Sequence, residues 1–329
     1  MWLRALRVIP RIDRAEWDRL DIVSRWLIAS RRAVFVLTFT SASIAGLLAV
    51  RDRHFEPVLW ALAAVALVAA HATNNLLNDL TDHLKGVDRD NYFRAVYGPH
   101  TLEHRLLTVR QLLAYAAAGA VVAIVIGAYF VALRGPLALA LMAAGAFFVL
   151  FYTYPLKYIG LGEIAVILVW GPLMIGGTYF VVTGTWDWNV AAVGLPYAIG
   201  ATTVIFGKHI DKLPDDRAKG IHTLPVIIGE PAARWTVIAM FVLQYAIVAY
   251  FVLTGFFTPA LLVIALAFPR LRAAIAAFAK PRPAERPAHY PELAWPLYLV
   301  HYAFLHNRRF GLLLLVGLVA DVAIRLLVV

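Results

Sequence analysis

The chain has 329 residues, 62% of them hydrophobic and 15% charged, with no cysteine and a formal net charge of +10. A mean hydropathy of +0.74 lies outside the range of water-soluble domains, so the bilayer is taken as the solvent, and disulfides and thiolate metal sites are excluded. The positive charge does not point to a nucleic acid partner, because the cations stand in short segments beside apolar runs, where membrane lipid headgroups and a phosphorylated substrate account for them.

Residues 1–32 are expected to form a cytoplasmic N-terminal segment with an interfacial helix from about Arg14, its apolar side made by Trp17, Leu20, Trp26 and Leu27. From residue 33 to 329 follow nine apolar runs, near 33–50, 57–77, 111–133, 136–153, 163–184, 188–207, 234–254, 257–276 and 310–328. Each approaches the roughly 20 residues that a spanning helix needs. The runs are continuous and rich in Ala, Leu and Val, which excludes the alternation of a membrane β-barrel. The sequence therefore predicts an all-α integral membrane domain. Nine transmembrane helices would surround a central cavity, as two four-helix repeats plus one. Of the 30 Lys and Arg residues, 26 fall before the first run, in the loops after the second, fourth, sixth and eighth, or in the run ends that face those loops. Because such residues accumulate on the cytoplasmic side, the N-terminus and those loops are expected there, in a multi-pass protein of the cell membrane.

Two aspartate-rich stretches stand where the second and sixth runs end. The first extends from Asn74 to Asp88 and the second from Lys208 to Arg217. Carboxylates are unfavourable at a helix C-terminus, which already carries partial negative charge. Clustered in low dielectric, they repel one another or take up protons unless a cation joins them. In the first stretch Asn75, Asp79 and Asp82 fall at i, i+4 and i+7, on one helix face. Asn78 pairs with Asp82 at i+4, and Gly86 is expected to end the helix so that Asp88 folds back. Hard oxygen ligands of this kind suit Mg²⁺, which takes one or two carboxylates plus phosphate oxygens. In the second stretch Asp211 and Asp215 are again i and i+4, with Asp216 beside them. Pro214 between them is expected to kink the helix. Lys208, Lys212, Arg217 and Lys219 surround them, the mixture that a metal–diphosphate requires. Arg94, with Tyr97 and His100 nearby, supplies a further phosphate-binding cation, whereas His100 reads better as a loop residue than as a base. Tyr152, Tyr154 and Lys157 close the fourth run, and tyrosines there belong either to the substrate site or to the interfacial belt. Solvated acidic loops with internal ion pairs are the competing reading of both stretches.

The motif Asn78-Asp79-x2-Asp82-x5-Asp88, with Lys85-Gly86 inside it, resembles the first motif of the UbiA superfamily of intramembrane prenyltransferases. It is most similar to the branch that prenylates 1,4-dihydroxy-2-naphthoate for menaquinone. Asp211-x3-Asp215, followed by Arg217, Gly220 and Thr223-Leu224, is similar to the superfamily's second motif, and the segment from Tyr154 to Glu163 also fits. In the naphthoate enzymes the second motif usually begins Asn-Asn-x-Arg-Asp, where this chain has Gly207-Lys208-His209-Ile210-Asp211, and the aspartate spacing here is one residue longer. The resemblance implies Mg²⁺ ions held by Asp79, Asp82, Asp88, Asp211 and Asp215. They would bridge an isoprenoid diphosphate whose prenyl group passes to an aromatic acceptor in lipid-quinone synthesis. A membrane terpene cyclase of the same superfamily, which needs no acceptor, is the alternative. An ion transporter fits less well, since its charges belong near mid-span. A CDP-alcohol phosphotransferase would carry Asp-Gly-x-x-Ala-Arg, which is absent.

Overall fold

A computed structural model describes residues 12–87, 100–288 and 290–328. Each of the nine apolar runs coincides with a helix. After two short helices, α1 (Arg14–Asp18) and α2 (Ile22–Ala29), come α3 (Phe35–Arg51), α4 (Pro57–Leu84), α5 (Val109–Arg134), α6 (Pro136–Phe151), α7 (Gly162–Thr183) and α8 (Trp188–Asp211). Two short helices, α9 (Leu213–Ala218) and α10 (Leu224–Ile228), lead to α11 (Glu230–Leu253), α12 (Pro259–Phe278) and α13 (Leu299–Val328). Seven of these are long and apolar enough to cross a membrane, while α3 and α6 are shorter. This is an integral membrane protein.

Local chemistry sets the helix starts. Proline stands in the first turn of α4, α6, α9, α10 and α11, where its missing N–H is no loss. Thr108 and Gln111 form a reciprocal capping box at the start of α5. Midway along α7, residues Val169–Gly176 adopt a π-helical winding that contains Pro172. Such windings often mark functional sites.

α8 is the most enclosed helix, packed against α7, α11 and α13. Around it lies the main core, with Ile44, Leu48, Tyr197, Leu261, Phe310 and Leu314 almost completely buried. α5 and α6 instead turn Val121, Ile124, Val125, Leu139 and Leu150 outward, the apolar exterior expected of helices bathed in lipid. At the end away from the acidic stretches, Tyr179 Oη donates to Asp52 at 2.7 Å. There Asp321 accepts from the Thr258 N–H at 2.6 Å, tying α12 to α13.

Two expectations change. The single interfacial helix from Arg14 is two helices, because Asp13 and Asp21 each cap a start, accepting from the Glu16 N–H at 2.8 Å and the Ser24 N–H at 2.9 Å. Trp17 lies in a protein cluster with Leu76, Leu106 and Leu112 rather than in lipid. The last helix begins at Leu299, eleven positions before the apolar run, so the exposed Arg308 and Arg309 belong to it.

Candidate active site

α4 continues past its apolar part and carries Asn75, Asn78, Asp79 and Asp82 on a buried face. It stops at a glycine. Gly86 has φ 68°, its N–H donates to His83 O at 3.0 Å, and the Val87 N–H donates to Asp82 O at 2.8 Å. This is the two-bond ending that favours glycine in the left-handed region. α9 ends in the same way. Gly220 has φ 67°, with bonds from its N–H to Arg217 O at 3.2 Å and from Ile221 to Asp216 O at 2.8 Å. Asp82 and Asp216 thus stand at the same position relative to their glycines.

Cations from four separate segments meet this acidic end. Arg31, just before α3, pairs with Asp79. Lys157, from the loop between α6 and α7, donates to both Asp82 oxygens at 2.7 and 3.0 Å. Lys208 on α8 lies within electrostatic reach of Asp82, Lys157, Arg31 and Lys212. Lys219, after α9, donates to the Val87 carbonyl and so joins the second stretch to the first. Lys85 stacks on the Tyr154 ring at 3.7 Å, and a backbone bridge between Ile159 and His222 closes the same rim. The Tyr152 phenol, at the end of α6, lies within electrostatic reach of Glu163 and Asp82 and is a hydrogen-bond donor at neutral pH.

The second stretch departs from the expected arrangement. Pro214 does not kink one continuous helix: α8 ends at Asp211, Lys212 forms the joint, and the proline starts α9. The i, i+4 register from Asp211 to Asp215 is therefore broken. Asp215 and Arg217 are exposed, whereas Asp216 is only 3% exposed and pairs with Lys212 at 3.4 Å. Asp211 is fully engaged elsewhere. Its Oδ1 accepts from the Leu299 N–H at 3.0 Å and its Oδ2 from the Val300 N–H at 3.1 Å, with Arg282 at 3.4 Å. It caps α13, satisfying orphan donors at that helix's positive end. Gly207, one turn earlier, lets α13 approach: a Cβ there would sit 2.8 Å from Val300 N and Cα.

Asn75 donates to Ser30 O at 2.9 Å, leaving its carbonyl oxygen to face other partners. Asn78 is buried beside Asp79, and Tyr154 is half exposed at the rim. His100 is buried, its Nδ1 accepting from the Glu103 N–H, a loop role. Asp88, Arg94 and Tyr97 lie outside the described residues. Sequence reasoning missed Arg31, Arg282 and the buried pair of His209 Nδ1 with Glu163 Oε1 at 2.6 Å. Only His209 lies within an acidic stretch, and spacing gives no sign of what any of them meets. Asp216 was visible but was read as a neighbour.

Among the described residues no three His, Asp or Glu side chains converge as a metal cluster. Asp79 and Asp82, 0% and 7% exposed on one helix face, still offer what Mg²⁺ takes from protein, one or two carboxylates, with phosphate and water supplying the rest. The oxygen-only donor set fits that ion.

The sequence profile of the UbiA prenyltransferase family matches residues 38–320. The 1,4-dihydroxy-2-naphthoate octaprenyltransferase of Escherichia coli is 27% identical over 237 residues, 66% of this chain and 72% of its own. The UbiA prenyltransferase domain-containing protein 1 homolog of Drosophila melanogaster is 26% identical over 187 residues, 55% of this chain. The match spans half of that fly protein and about two thirds of its vertebrate counterparts. Among solved structures, a UbiA homolog from Aeropyrum pernix superposes with a TM-score of 0.64 at 19% identity, covering 86% of this chain and 97% of that one. A UbiA homolog from Archaeoglobus fulgidus bound to DMAPP and Mg²⁺ gives 0.54 at 12% identity, covering 88% and 98%. These likenesses establish the fold. With most of its length matched, the chain belongs to the UbiA prenyltransferase family.

Proposed function

We propose that this protein transfers a prenyl group from an isoprenoid diphosphate to an aromatic acceptor of the lipid-quinone type, with Mg²⁺ as cofactor. The observation that carries this reading is the meeting of Asp79 and Asp82 with Arg31, Lys157 and Lys208 at one end of an apolar bundle, with Lys212 paired to Asp216 and Lys219 to the Val87 carbonyl beside them. A polyanion with an apolar tail is the ligand that such a junction fits. The relatives support it: one is a naphthoate octaprenyltransferase, and a structural neighbour binds DMAPP with Mg²⁺.

Mg²⁺ held by Asp79 and Asp82, with Asp88 close in sequence, would neutralise charge growing on the departing diphosphate. The rest falls to this chain's residues. Lys208, Lys219 and Lys212, the last oriented by Asp216, bind diphosphate oxygens. Lys157 moves between Asp82 and the leaving group. Tyr152 donates a hydrogen bond to it. Fixed donors of this sort stabilise developing charge in a site that excludes water. The carbon–oxygen bond breaks with its electron pair leaving on the diphosphate, an electron-rich ring carbon bonds to the allylic carbon, and that ring carbon then gives its proton to the released diphosphate, which restores the aromatic ring. Asp211 takes no part except to hold α8 to α13.

In this proposal residues 1–32 are a cytoplasmic segment that precedes a nine-span domain, with α1 and α2 packed against the protein. The two four-helix repeats each contribute one acidic stretch, and the matching glycine endings after Asp82 and Asp216 support that symmetry. The excess of Lys and Arg on this side supports a cytoplasmic site in the cell membrane. Purified protein given Mg²⁺, geranyl diphosphate and 1,4-dihydroxy-2-naphthoate should form a prenylated naphthol and pyrophosphate. Cyclic hydrocarbon formed without acceptor would replace this reading with a cyclase.

A further inference from the structure

Deeper along the face that presents Asp79 and Asp82 stands one more polar group, His71. It precedes Asn75 by four residues and Asp79 by eight, which places it about 6 and 12 Å further into the bundle at the rise of an α-helix. Its neighbouring rings are aromatic, and the Arg31 charge lies within electrostatic reach. The Trp170 ring meets it edge-on at 5.3 Å, and Phe35 lies 5.4 Å away. Trp170 comes from the π-helical stretch of α7 and Phe35 from the first turn of α3, so three helices build the place. All three rings keep some accessible surface. One nitrogen is already used: His71 Nδ1 and Thr38 Oγ1 are 2.7 Å apart. Nε2 has no hydrogen-bond partner among the described residues. The bond at Nδ1 fixes the ring's orientation, as second-shell partners of histidine do.

The geometry points to an acceptor-contacting role. His71 Nε2 hydrogen-bonds a ring hydroxyl of the aromatic acceptor, whose ring packs against Trp170 and Phe35. This rests on the transferase reading above and adds the residue that recognises the second substrate. This place lies below the acidic end of α4, toward the apolar interior of the bundle. Aromatic walls favour a flat ring, and one fixed nitrogen selects a hydroxylated one. A site built to pair a hydroxyl discriminates strongly against analogues that lack it. Thr38 acts through His71 and is a positioning residue.

The test uses the full chain in detergent micelles, with geranyl diphosphate and 1,4-dihydroxy-2-naphthoate varied separately. His71→Leu should raise the acceptor KM about tenfold, the loss of one buried hydrogen bond. The donor KM and the Kd of a non-hydrolysable geranyl thiodiphosphate should not change. His71→Gln, which keeps a polar atom, should recover much of the loss. Thr38→Val should raise the acceptor KM about threefold and serves as the second variant if His71→Leu fails to fold. An acceptor KM unchanged in the folded variants, or donor and acceptor constants rising together, would overturn the assignment. Wild-type protein that binds the thiodiphosphate but prenylates no aromatic acceptor would remove this inference, while failure to bind it would remove the proposed function as well.

Discussion

Replacing Asp211 by alanine separates a structural carboxylate from a metal ligand. Its two oxygens hold the N–H groups of Leu299 and Val300 at 3.0 and 3.1 Å, and the residue is only 1% exposed. Removing them leaves two buried donors unmet, each costing about 1–3 kcal/mol, and deletes a capping interaction of about 0.5–2 kcal/mol. These contributions overlap. Arg282, 20% exposed at its side chain, can turn toward water and adds little. The net loss should be about 3 kcal/mol, which for a chain of this length lowers Tm by about 5 °C. Turnover per folded molecule should stay within about threefold. Differential scanning fluorimetry in detergent reads the first quantity and pyrophosphate release the second. A variant that keeps the wild-type Tm and loses turnover a hundredfold would refute the capping role and return Asp211 to the metal.

Other substitutions test neighbouring parts of the account. Lys157→Met removes both bonds to Asp82 and should lower the rate of pyrophosphate release about a hundredfold, the usual effect of deleting one fixed donor to a developing charge; a fall of under threefold would take Lys157 out of the donor site. Asp216→Ala should reduce turnover at least about thirtyfold while Asp215→Ala stays within about threefold, because only Asp216 is buried with Lys212. The reverse order would favour the Asp211–Asp215 pairing. Gly207→Ala should lower stability by about 1–3 kcal/mol, since the new Cβ meets the Val300 backbone at 2.8 Å and backbone cannot rotate aside. A melting curve identical to wild type would contradict the close approach of α8 and α13.

The apolar helices were legible because hydrophobic run length responds directly to bilayer thickness. Eight of nine starts fall within a few residues of the expected ones. α13 is the exception: its first turns carry His301, His306, Arg308 and Arg309, and hydropathy cannot separate a polar helical extension from a loop. The first acidic stretch was readable because a single helix fixes which side chains share a face, and Asn75, Asp79 and Asp82 do so. In the second, Pro214 is expected to kink a single helix, whereas it stands in the first turn of a new one. Once that proline starts a new helix, Asp211 and Asp216 point to different partners, the first to α13 and the second to Lys212. Arg31 and Lys157 reach Asp79 and Asp82 only through tertiary packing, which one sequence does not encode in its local spacing.

In the proposed reaction both acidic stretches grip one diphosphate at once. Calorimetric titration of the full chain with geranyl thiodiphosphate and Mg²⁺ tests this directly, comparing wild type with Asp82→Asn from the first stretch and Lys208→Met from the second. Binding should require Mg²⁺ and weaken at least about tenfold in each variant, roughly 1.4 kcal/mol per lost partner. Wild-type affinity in either variant would mean that the ligand is held by one stretch alone, contrary to the account.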